Sequence, residues 1–442
     1  MGELFHSVNL DTERCKGCTT CIKKCPTEAI RVRNGKAYII SERCIDCGQC
    51  IRSCPHHAKR ALADPWEMTE RFKYKIALPA PALYGQFSHL DDINYVLTGL
   101  IAMGFDDVFE VARAAEMLSD RTRRMMRDKE KRTGPIISSA CPACVRLIKK
   151  RFPGLCDNVL PHAAPVELAA ILARRFAAEQ TGYKPEEIGV FFISPCPAKI
   201  TAAKSPVGFE RPVIDGAFSM SDIYKKLVGA MNRLEDCDQL NTSGLIGIGW
   251  ALSGGESAAL LSEQYLAVDG IENVIKVLED VEDGRIPEIE FIELNACTQG
   301  CVGGCLTVEN PYVAKTRIKR LMKFLPVSRN KADAIEKYGA EIEWEKTLTY
   351  TPMWQLDRDV KASIDKMSEI EQLTEELPGL DCGSCGTPSC RAFAEDVILG
   401  FASMEDCIFK MRERVQYMSG TGDGDEYLPP PFRTHKTKGD GK

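Results

Sequence analysis

Short apolar runs alternate with amphipathic stretches from about residue 72 onward. Five of these runs predict buried strands: KIALPA (75–80), PIISSA (135–140), GVFFIS (189–194), GLIGIG (244–249) and IEFIEL (289–294). The stretches between and after them predict helices over 163–179, 219–234, 256–266, 313–325 and 331–340. Apolar strands that alternate with helices indicate an α/β domain whose strands are largely parallel and buried.

Changes in amino-acid composition along the sequence predict further domains on both sides of this domain. Residues 1–62 are rich in cysteine and poor in apolar residues, so bound metal must supply much of their stability. The α/β domain is predicted over 72–355, with a connector and helix over 345–370 and a second cysteine-rich domain over 370–412. The Gly-, Pro- and charge-rich segment 419–442 predicts a disordered tail. The fold class is therefore predicted to be α+β multidomain.

The composition narrows the functional classes. Of the 442 residues, 44% are hydrophobic and 27% are charged, which is ordinary for a soluble globular protein. The net charge of −6 gives no reason to expect nucleic acid, and no apolar run approaches the length of a membrane span. The N-terminus lacks the layout of a secretion signal, so a cytoplasmic location is expected. Twenty cysteines in a reducing compartment then favour metal ligands over disulfides.

Two cysteine runs in the first 62 residues have the same spacing, and each ends in proline. They are Cys15-x2-Cys18-x2-Cys21-x3-Cys25-Pro26 and Cys44-x2-Cys47-x2-Cys50-x3-Cys54-Pro55. In bacterial two-cluster ferredoxins this spacing gives the fourth cysteine of each run to the other cluster. The predicted ligands of one [4Fe–4S] cluster are Cys15, Cys18, Cys21 and Cys54, and those of the other are Cys44, Cys47, Cys50 and Cys25. The alternative is a metal-stabilised fold without electron transfer.

A third group of four cysteines lies near the C-terminus. The run Cys382-x2-Cys385-x4-Cys390-x16-Cys407 has the ligands for one more [4Fe–4S] cluster, and a helix over 389–401 would return Cys407 to it. The segment resembles a small four-cysteine iron–sulfur domain found in several redox proteins. Zinc remains an alternative because both metals accept four thiolates.

Four further cysteines follow three of the predicted strands. Cys141 comes after PIISSA, Cys196 after GVFFIS, and Cys297 and Cys301 after IEFIEL. Because ligand sites in open α/β sheets gather beyond the carboxyl ends of strands, we expect these four sulfurs to share one site. The alternative is that they are free, buried cysteines.

The segments SSACP (138–142), SPCPAK (194–199) and NACTQGC (295–301) resemble, in order, the three signature segments of [FeFe]-hydrogenases. The resemblance covers nearly all of 72–355 and implies an H-domain that carries an H-cluster, a [4Fe–4S] cubane joined to a diiron unit with CO, CN⁻ and azadithiolate ligands. The implied cubane ligands are Cys141, Cys196, Cys297 and Cys301. Cys301 would also bridge to the diiron unit, and Lys199 would hydrogen-bond a cyanide. The alternative for Lys199 is an exposed lysine at the start of a helix.

The sequence departs from the catalytic members of that family beside the predicted cofactor. Ala140 stands where they carry a cysteine that passes protons to the bridgehead amine, and alanine cannot carry a proton. Ser194 and Asn295 replace methionines that pack on the diiron unit, and Ala164-Pro165-Val166 replaces a Ser-Pro-Gln sequence. The acidic proton path is reduced to Glu116, unless Glu116 is a solvated helix residue. These departures resemble the sensory branch of the family, without the PAS domain that some sensory members carry.

The resemblance implies an oxidoreductase that binds H₂ and slowly interconverts it with protons and electrons, as a hydrogen or redox sensor. One alternative is a metabolic, ferredoxin-linked hydrogenase with another proton route, for which Cys144 or Cys305 could replace the lost donor. The other is a non-enzymatic hydrogenase-like iron–sulfur protein. The implied partners are H₂, protons and an electron-transfer or signalling protein, and homo-oligomerisation is left open. Cys156 and Cys237 are interpreted as structural or surface thiols.

Overall fold

The computed structural model describes residues 5–127, 134–286, 288–353 and 356–419. Of the predicted tail, 419–442, only Ser419 lies within the described residues. The contacts group the chain into two compact units, the first with residues 1–15 and 39–353 and the second with residues 16–38 and 354–442. The predicted domain boundaries stay a prediction, and the two units are described separately.

The elements follow in chain order. The α-helices are α1 (Thr20–Lys23), α2 (Gln49–Ser53), α3 (Asn94–Ala102), α4 (Val111–Arg127), α5 (Pro142–Arg151), α6 (Pro165–Thr181), α7 (Pro197–Lys204), α8 (Met220–Met231), α9 (Leu245–Gly249), α10 (Gly255–Ala259), α11 (Ile271–Glu282), α12 (Pro311–Met322), α13 (Asp333–Lys337), α14 (Val360–Glu376), α15 (Cys390–Ile398) and α16 (Ile408–Ser419). The strands are β1 (Val8–Leu10), β2 (Ile30–Arg33), β3 (Lys36–Ile39), β4 (Lys59–Ala61), β5 (Tyr74–Pro79), β6 (Asp107–Val108), β7 (Ile136–Ile137), β8 (Ile188–Ser194), β9 (Gly216–Ser219), β10 (Tyr265–Asp269) and β11 (Phe291–Asn295). Short 3₁₀ turns lie at Ser41–Arg43, Trp66–Arg71, Pro81–Gln86, Pro153–Asn158, Pro185–Glu187, Cys301–Gly303 and Met404–Asp406.

The first unit is built on two parallel sheets. One sheet has the strand order β6-β5-β8-β9 and the other has the order β10-β11-β7. Every pair of neighbouring strands in both sheets is parallel, which confirms the predicted strand direction. Strand β8 is buried at all of its positions, as expected for a parallel strand that is covered on both faces. The three strands that precede the scattered cysteines are β7, β8 and β11. Strand β8 belongs to the first sheet, and β7 and β11 belong to the second.

Two of the predicted elements are wrong. The run GLIGIG (244–249) forms the helix α9 instead of a strand. A Cβ atom on Gly247 would overlap the carbonyl oxygen of Ala112, so this run packs closely against α4. The predicted helix over 256–266 is shorter, and β10 occupies its last residues. Short apolar runs cannot be assigned to helix or strand by periodicity alone, and here the packing of two helices decided the outcome.

The N-terminal residues of the first unit pack on its α/β body. Strands β1 and β4 pair antiparallel. The Ser7 hydroxyl donates to the carbonyl oxygen of Pro197 at 2.7 Å and accepts from the Thr201 hydroxyl at 2.8 Å. The guanidinium of Arg146 in α5 donates to the buried carboxylate of Asp46 at 3.3 Å. These contacts hold the segment that carries Cys44 against α5 and α7, which begin at two of the scattered cysteine segments.

The second unit joins residues 16–38 to the C-terminal helices. Strands β2 and β3 form a hairpin whose turn residues, Asn34 and Gly35, both have positive φ (53° and 71°), as an Asn-Gly hairpin turn requires. Helices α14 and α15 pack around Ile370 and Phe393, which are 2% and 1% exposed. Helix α15 confirms the helix predicted over 389–401. Of the helices in the described ranges, none combines the length and the apolar character needed to cross a bilayer.

Candidate active site

The four scattered cysteines converge beyond the carboxyl ends of three strands. Cys141 and Cys196 stand at the N-caps of α5 and α7, each followed by a proline that is preorganised for the first helical turn. Cys301 opens a 3₁₀ turn. Burial raises the pKa of Cys297 well above its usual range, and the nearby sulfurs of Cys196, Cys141 and Cys301 raise it further. The four sulfurs therefore lie within electrostatic reach of one another.

A half-buried lysine lies beside these sulfurs. The ammonium nitrogen of Lys199 lies 3.3 Å from the sulfur of Cys301. Burial lowers the pKa of Lys199, but the sulfurs of Cys301 and Cys196 outweigh burial and hold this pKa above its ordinary value. The pKa of Cys141 falls to about 6, first because the Cys144 thiol donates a hydrogen bond to it. Lys199 thus places a positive charge next to the cysteine sulfurs, and it is not the exposed lysine that the alternative described.

The loop that carries Cys297 and Cys301 has no room for side chains at its glycines. A Cβ atom on Gly303 would overlap the carbonyl oxygen of Thr298, and Gly300 has a φ of 84°. This loop keeps its backbone close around the two cysteines. Four cysteine sulfurs are the ligand set of a [4Fe–4S] cubane, and the adjacent cation offsets part of its negative charge, so the residues present fit that group.

A cavity opens beside Cys141 and Cys301. Its walls are largely apolar, with Pro81, Val111, Ala115, Ala164, Phe192 and Leu294 among the lining residues. Ala140, Asn295 and Lys199 also line it. Ser194 has a different position, because it is fully buried and its hydroxyl donates to the carbonyl oxygen of Cys196 at 2.9 Å. The cavity is therefore a mostly apolar volume in contact with the cysteine site.

Two buried glutamates, which the sequence did not single out, line the same cavity. Glu256 in α10 and Glu293 in β11 are 6% and 3% exposed. The Ser138 hydroxyl donates to Glu256 at 2.6 Å and accepts the backbone N–H of Ala140 at 3.1 Å. Burial raises the pKa of Glu256 to about 8, and the neighbouring Glu293 adds to this rise. Burial also raises the pKa of Glu293, which accepts from the Asn295 amide at 2.8 Å. This carboxyl pair holds at least one proton at neutral pH.

A second cavity shares Ala140 and Lys199 with the first. One of its lining residues is Glu167, at the start of α6, whose carboxylate accepts the backbone N–H of Ala164 at 2.7 Å. Burial raises the pKa of Glu167 to about 7. Glu167 is therefore a third protonatable carboxyl group near Ala140, and it lines a different cavity from the Glu256–Glu293 pair.

Glu116, which the sequence suggested as the remnant of an acidic path, has a structural role. It is 1% exposed, so it is not a solvated helix residue. Its carboxylate accepts the backbone N–H of Gly244 at 2.6 Å and two N–H groups of Asn330 at 3.0 and 2.7 Å. These bonds tie α4 to the segments around Gly244 and Asn330.

The two cysteines considered as substitute proton donors lie against metal-ligand loops. Cys144 is fully buried and donates to Cys141. The sulfur of Cys305 packs against Gly48, where a Cβ atom would overlap it. Among the described residues that line the two cavities, neither thiol is present. Cys156 is buried and Cys237 is half-buried, in line with the structural or surface roles predicted for them.

The two N-terminal cysteine runs are built alike. In each run, the backbone N–H four residues after the last cysteine donates to its sulfur, from Ala29 to Cys25 at 3.2 Å and from Ala58 to Cys54 at 3.3 Å. Such bonds stabilise thiolate ligands. The first unit contains Cys15, Cys44, Cys47, Cys50 and Cys54, and the second contains Cys18, Cys21 and Cys25. The predicted exchange of ligands between the runs stays a prediction.

The C-terminal cysteines gather around one buried cluster of the second unit. Cys407 is 7% exposed, and Cys385 and Cys390 pack against the same apolar residues, while Cys382 is exposed. The sulfur of Cys385 lies 3.0 Å from the Thr387 hydroxyl. The predicted ligand set on these four cysteines stays a prediction.

Family comparisons agree with this arrangement of modules. The family described as iron only hydrogenase large subunit, C-terminal domain, matches residues 73–263 and 256–305. A 4Fe-4S dicluster domain matches residues 7–55, and an Fe-S cluster family matches residues 377–409.

Individual relatives are distant. The periplasmic [Fe] hydrogenase large subunit of Nitratidesulfovibrio vulgaris is 26% identical in an alignment of length 368 that covers 68% of this chain and 86% of that subunit. Subunit HndD of the NADP-reducing hydrogenase of Solidesulfovibrio fructosivorans is 25% identical in an alignment of length 209 that covers 43% of this chain and 31% of the relative. A solved structure of apo [FeFe]-hydrogenase HydA1 from Chlamydomonas reinhardtii has a TM-score of 0.50 at 17% identity, covering 66% of this chain and 98% of that one. This last likeness concerns the fold.

The raised pKa of Glu256 predicts how stability depends on pH. Its pKa rises from 4.5 to about 8 on folding, so the folded protein binds the proton more tightly than the unfolded chain. Stability is therefore lost as the pH rises from about 4.5 to about 8, at about 1.4 kcal/mol for each unit of the pKa difference. Glu256→Gln removes this loss, and its melting temperature should increasingly exceed that of the unmodified protein between pH 5 and pH 8.

Thermal unfolding at several pH values measures this difference. The exposed Glu263→Gln serves as the control and should follow the unmodified protein at every pH. A constant gap between Glu256→Gln and the unmodified protein would mean that Glu256 is ionised throughout this range.

Proposed function

This chain belongs to the iron-only hydrogenase family, and we propose that it binds H₂ at an H-cluster and slowly interconverts it with protons and electrons as a hydrogen or redox sensor. The observation that carries this proposal is the contact of Lys199 with Cys301 at the edge of a cavity lined by Ala140 and by two protonatable glutamates. The chain is an iron–sulfur protein of this family, and the identity of its central cofactor and the rate of its reaction are the proposed parts.

Four cysteines would hold the cubane, namely Cys141, Cys196, Cys297 and Cys301. Of these, Cys141 and Cys301 line the cavity, so a diiron unit attached through Cys301 would lie in it. When bound, the H-cluster supplies the reversible conversion of H₂ into protons and electrons. The Lys199 ammonium offsets the charge of the Cys301 thiolate and has further N–H donors for an anionic ligand in the cavity.

The carboxyl pair is the proposed store of protons in place of a thiol at position 140. A general acid works best when its pKa lies near the working pH, and the pKa of Glu256, at about 8, meets that condition. The Ser138 hydroxyl connects Glu256 to the backbone at Ala140, and Asn295 connects Glu293 to the end of β11. Protons would therefore be held on the wall formed by α10 and β11.

The sensor proposal is supported by Ala140, which stands where the catalytic members of the family carry a cysteine that passes protons. Loss of one positioned proton-transfer group commonly lowers a rate by about 10²–10⁴. Such a loss leaves the ligand set, and therefore H₂ binding, in place. The redox state of the protein would then be read by an electron-transfer or signalling partner.

The Glu256–Glu293 pair also favours a second candidate function, a metabolic hydrogenase with its own proton route. The two candidates differ in turnover. A high specific rate of H₂ oxidation by the matured protein would support the metabolic function, whereas a low rate with intact cofactor would support the sensor.

The first prediction concerns cofactor attachment. After maturation, the protein should show infrared bands of CO and CN⁻, and Cys301→Ala should lose them because its sulfur can no longer bridge to the diiron unit. Cys156→Ala, which changes a buried thiol that donates to the Phe152 carbonyl oxygen, is the matched control and should keep the bands. A matured protein without these bands would contradict both enzymatic proposals.

The second prediction concerns the proton route. Glu256→Gln keeps the shape of the side chain but cannot exchange a proton, so H₂ oxidation should fall by about 10²–10⁴ and lose its inflection near pH 8. Infrared bands unchanged from the unmodified protein would show that the cofactor is intact. Glu167→Gln tests the second cavity, and if it alone lowers the rate, protons travel by Glu167 and the proposed route is wrong.

A further inference from the structure

Two cysteine loops from opposite ends of the chain touch each other in the second unit. Gly383, which follows Cys382, has a φ of 77° and faces helix α1. A Cβ atom on it would lie 3.0 Å from Cε of Lys23 and 3.4 Å from Cδ1 of Ile22. These two residues directly follow Cys21. The loops predicted to wrap two different clusters are therefore in van der Waals contact.

Strand β2 adds backbone contacts to the same loop. The backbone N–H of Val32 donates to the carbonyl oxygen of Gly386 at 2.8 Å. The Arg33 guanidinium donates to the carbonyl oxygen of Cys385 at 2.7 Å. Gly386 has a φ of 78°, and a Cβ atom on it would overlap the carbonyl oxygen of Val32. Only glycine lets the loop lie this close to β2.

A buried charge network fixes the arrangement. The carboxylate of Asp396 in α15 accepts from Nε of Arg31 at 2.8 Å and from the Arg33 guanidinium at 2.7 Å. Arg31 is fully buried and Asp396 is 4% exposed. Separation of a buried pair would leave an uncompensated charge in each partner, so the two segments are held in one geometry. The Ser389 hydroxyl adds a bond to the Glu28 carboxylate at 2.9 Å.

Two buried guanidinium nitrogens in this network have N–H groups that need a further hydrogen-bond acceptor. Nη2 of Arg31 and Nε of Arg33 are buried and have no hydrogen-bond partner among the described residues. A buried donor without an acceptor is costly. The sulfides and thiolates of a bound iron–sulfur cluster are acceptors of the kind that would satisfy these groups.

We propose that the C-terminal four-cysteine site holds a redox-active [4Fe–4S] cluster, and that this cluster exchanges electrons directly with the cluster to which Cys18 and Cys21 belong. One cluster is oxidised by one electron as the other is reduced by one, and no bond or proton changes place. The C-terminal segment is thereby part of the electron path and not a structural zinc module. This inference is independent of the hydrogen chemistry proposed above.

Paramagnetic resonance of the reduced protein tests the proposal without the diiron unit. The full chain, loaded anaerobically with iron and sulfide and reduced with dithionite, should show split signals from magnetically coupled clusters. Cys390→Ser removes the C-terminal cluster, and its spectrum should also lose part of the splitting. If the difference between the two spectra is the simple signal of an isolated cluster, or if the C-terminal site holds zinc, the proposal is overturned.

Two glycine variants separate contact from cluster binding. Gly386→Ala should keep the iron content but lose the coupling to the C-terminal cluster, because the new methyl group pushes the loop away from β2. Gly400→Ala is the matched control, since it has nearly the same φ of 77° but a Cβ atom there meets nothing within 4 Å. Wild-type coupling in Gly386→Ala at full iron content would contradict the proposed contact. If Gly386→Ala loses iron, the proposal is judged only by the difference between the spectra of the unmodified protein and Cys390→Ser.

Discussion

Several thiolates must share one buried volume at the centre of this molecule, and that requirement governs the residues around it. Burial raises the pKa of Cys196 and Cys297 and so opposes the charged form that binds metal. Lys199 and the N-termini of α5 and α7 act in the opposite direction. Protein groups alone do not cancel the charge of four thiolates, so the proposed cluster would have to supply the rest. In that case folding of the strand ends and binding of the cluster would be coupled.

The same electrostatics explains how acidic side chains can line the cavity. A charged carboxylate beside thiolates would be repelled by them and would lack water to stabilise it. Glu256 avoids this cost by keeping its proton at neutral pH, since its pKa is about 8. The sulfur site thus favours neutral, proton-bearing carboxyl groups on the wall of α10 and β11. A proton store and a buried anionic cofactor are compatible in this arrangement.

Sequence patterns predicted the strands that lead to cysteines because both signals are local. The sequence patterns did not predict the residues whose positions depend on packing between segments far apart in the chain. Glu293 carried a readable signal, since a charged residue inside the apolar run IEFIEL must find partners in the core. Glu256 carried none, because its Gly-Gly-Glu-Ser context is typical of an exposed turn. The grouping of residues 16–38 with the C-terminal helices depends on the Arg31–Asp396 pair, whose members are 365 positions apart.

Ligands and surrounding residues control different steps of a reaction at such a site. In the proposed function, the cysteines would determine whether the cofactor binds, and the groups in the cavity would determine how fast protons reach it. Ala140 and Cys141 line the same cavity, so in the proposed function the methyl group at position 140 would affect proton transfer while the cysteine ligands stay in place. Slower proton transfer lengthens the life of each redox state of the site. A partner protein can respond only to a state that lasts longer than their encounter, so the proposed slow proton transfer at an unchanged ligand set would suit detection better than rapid turnover.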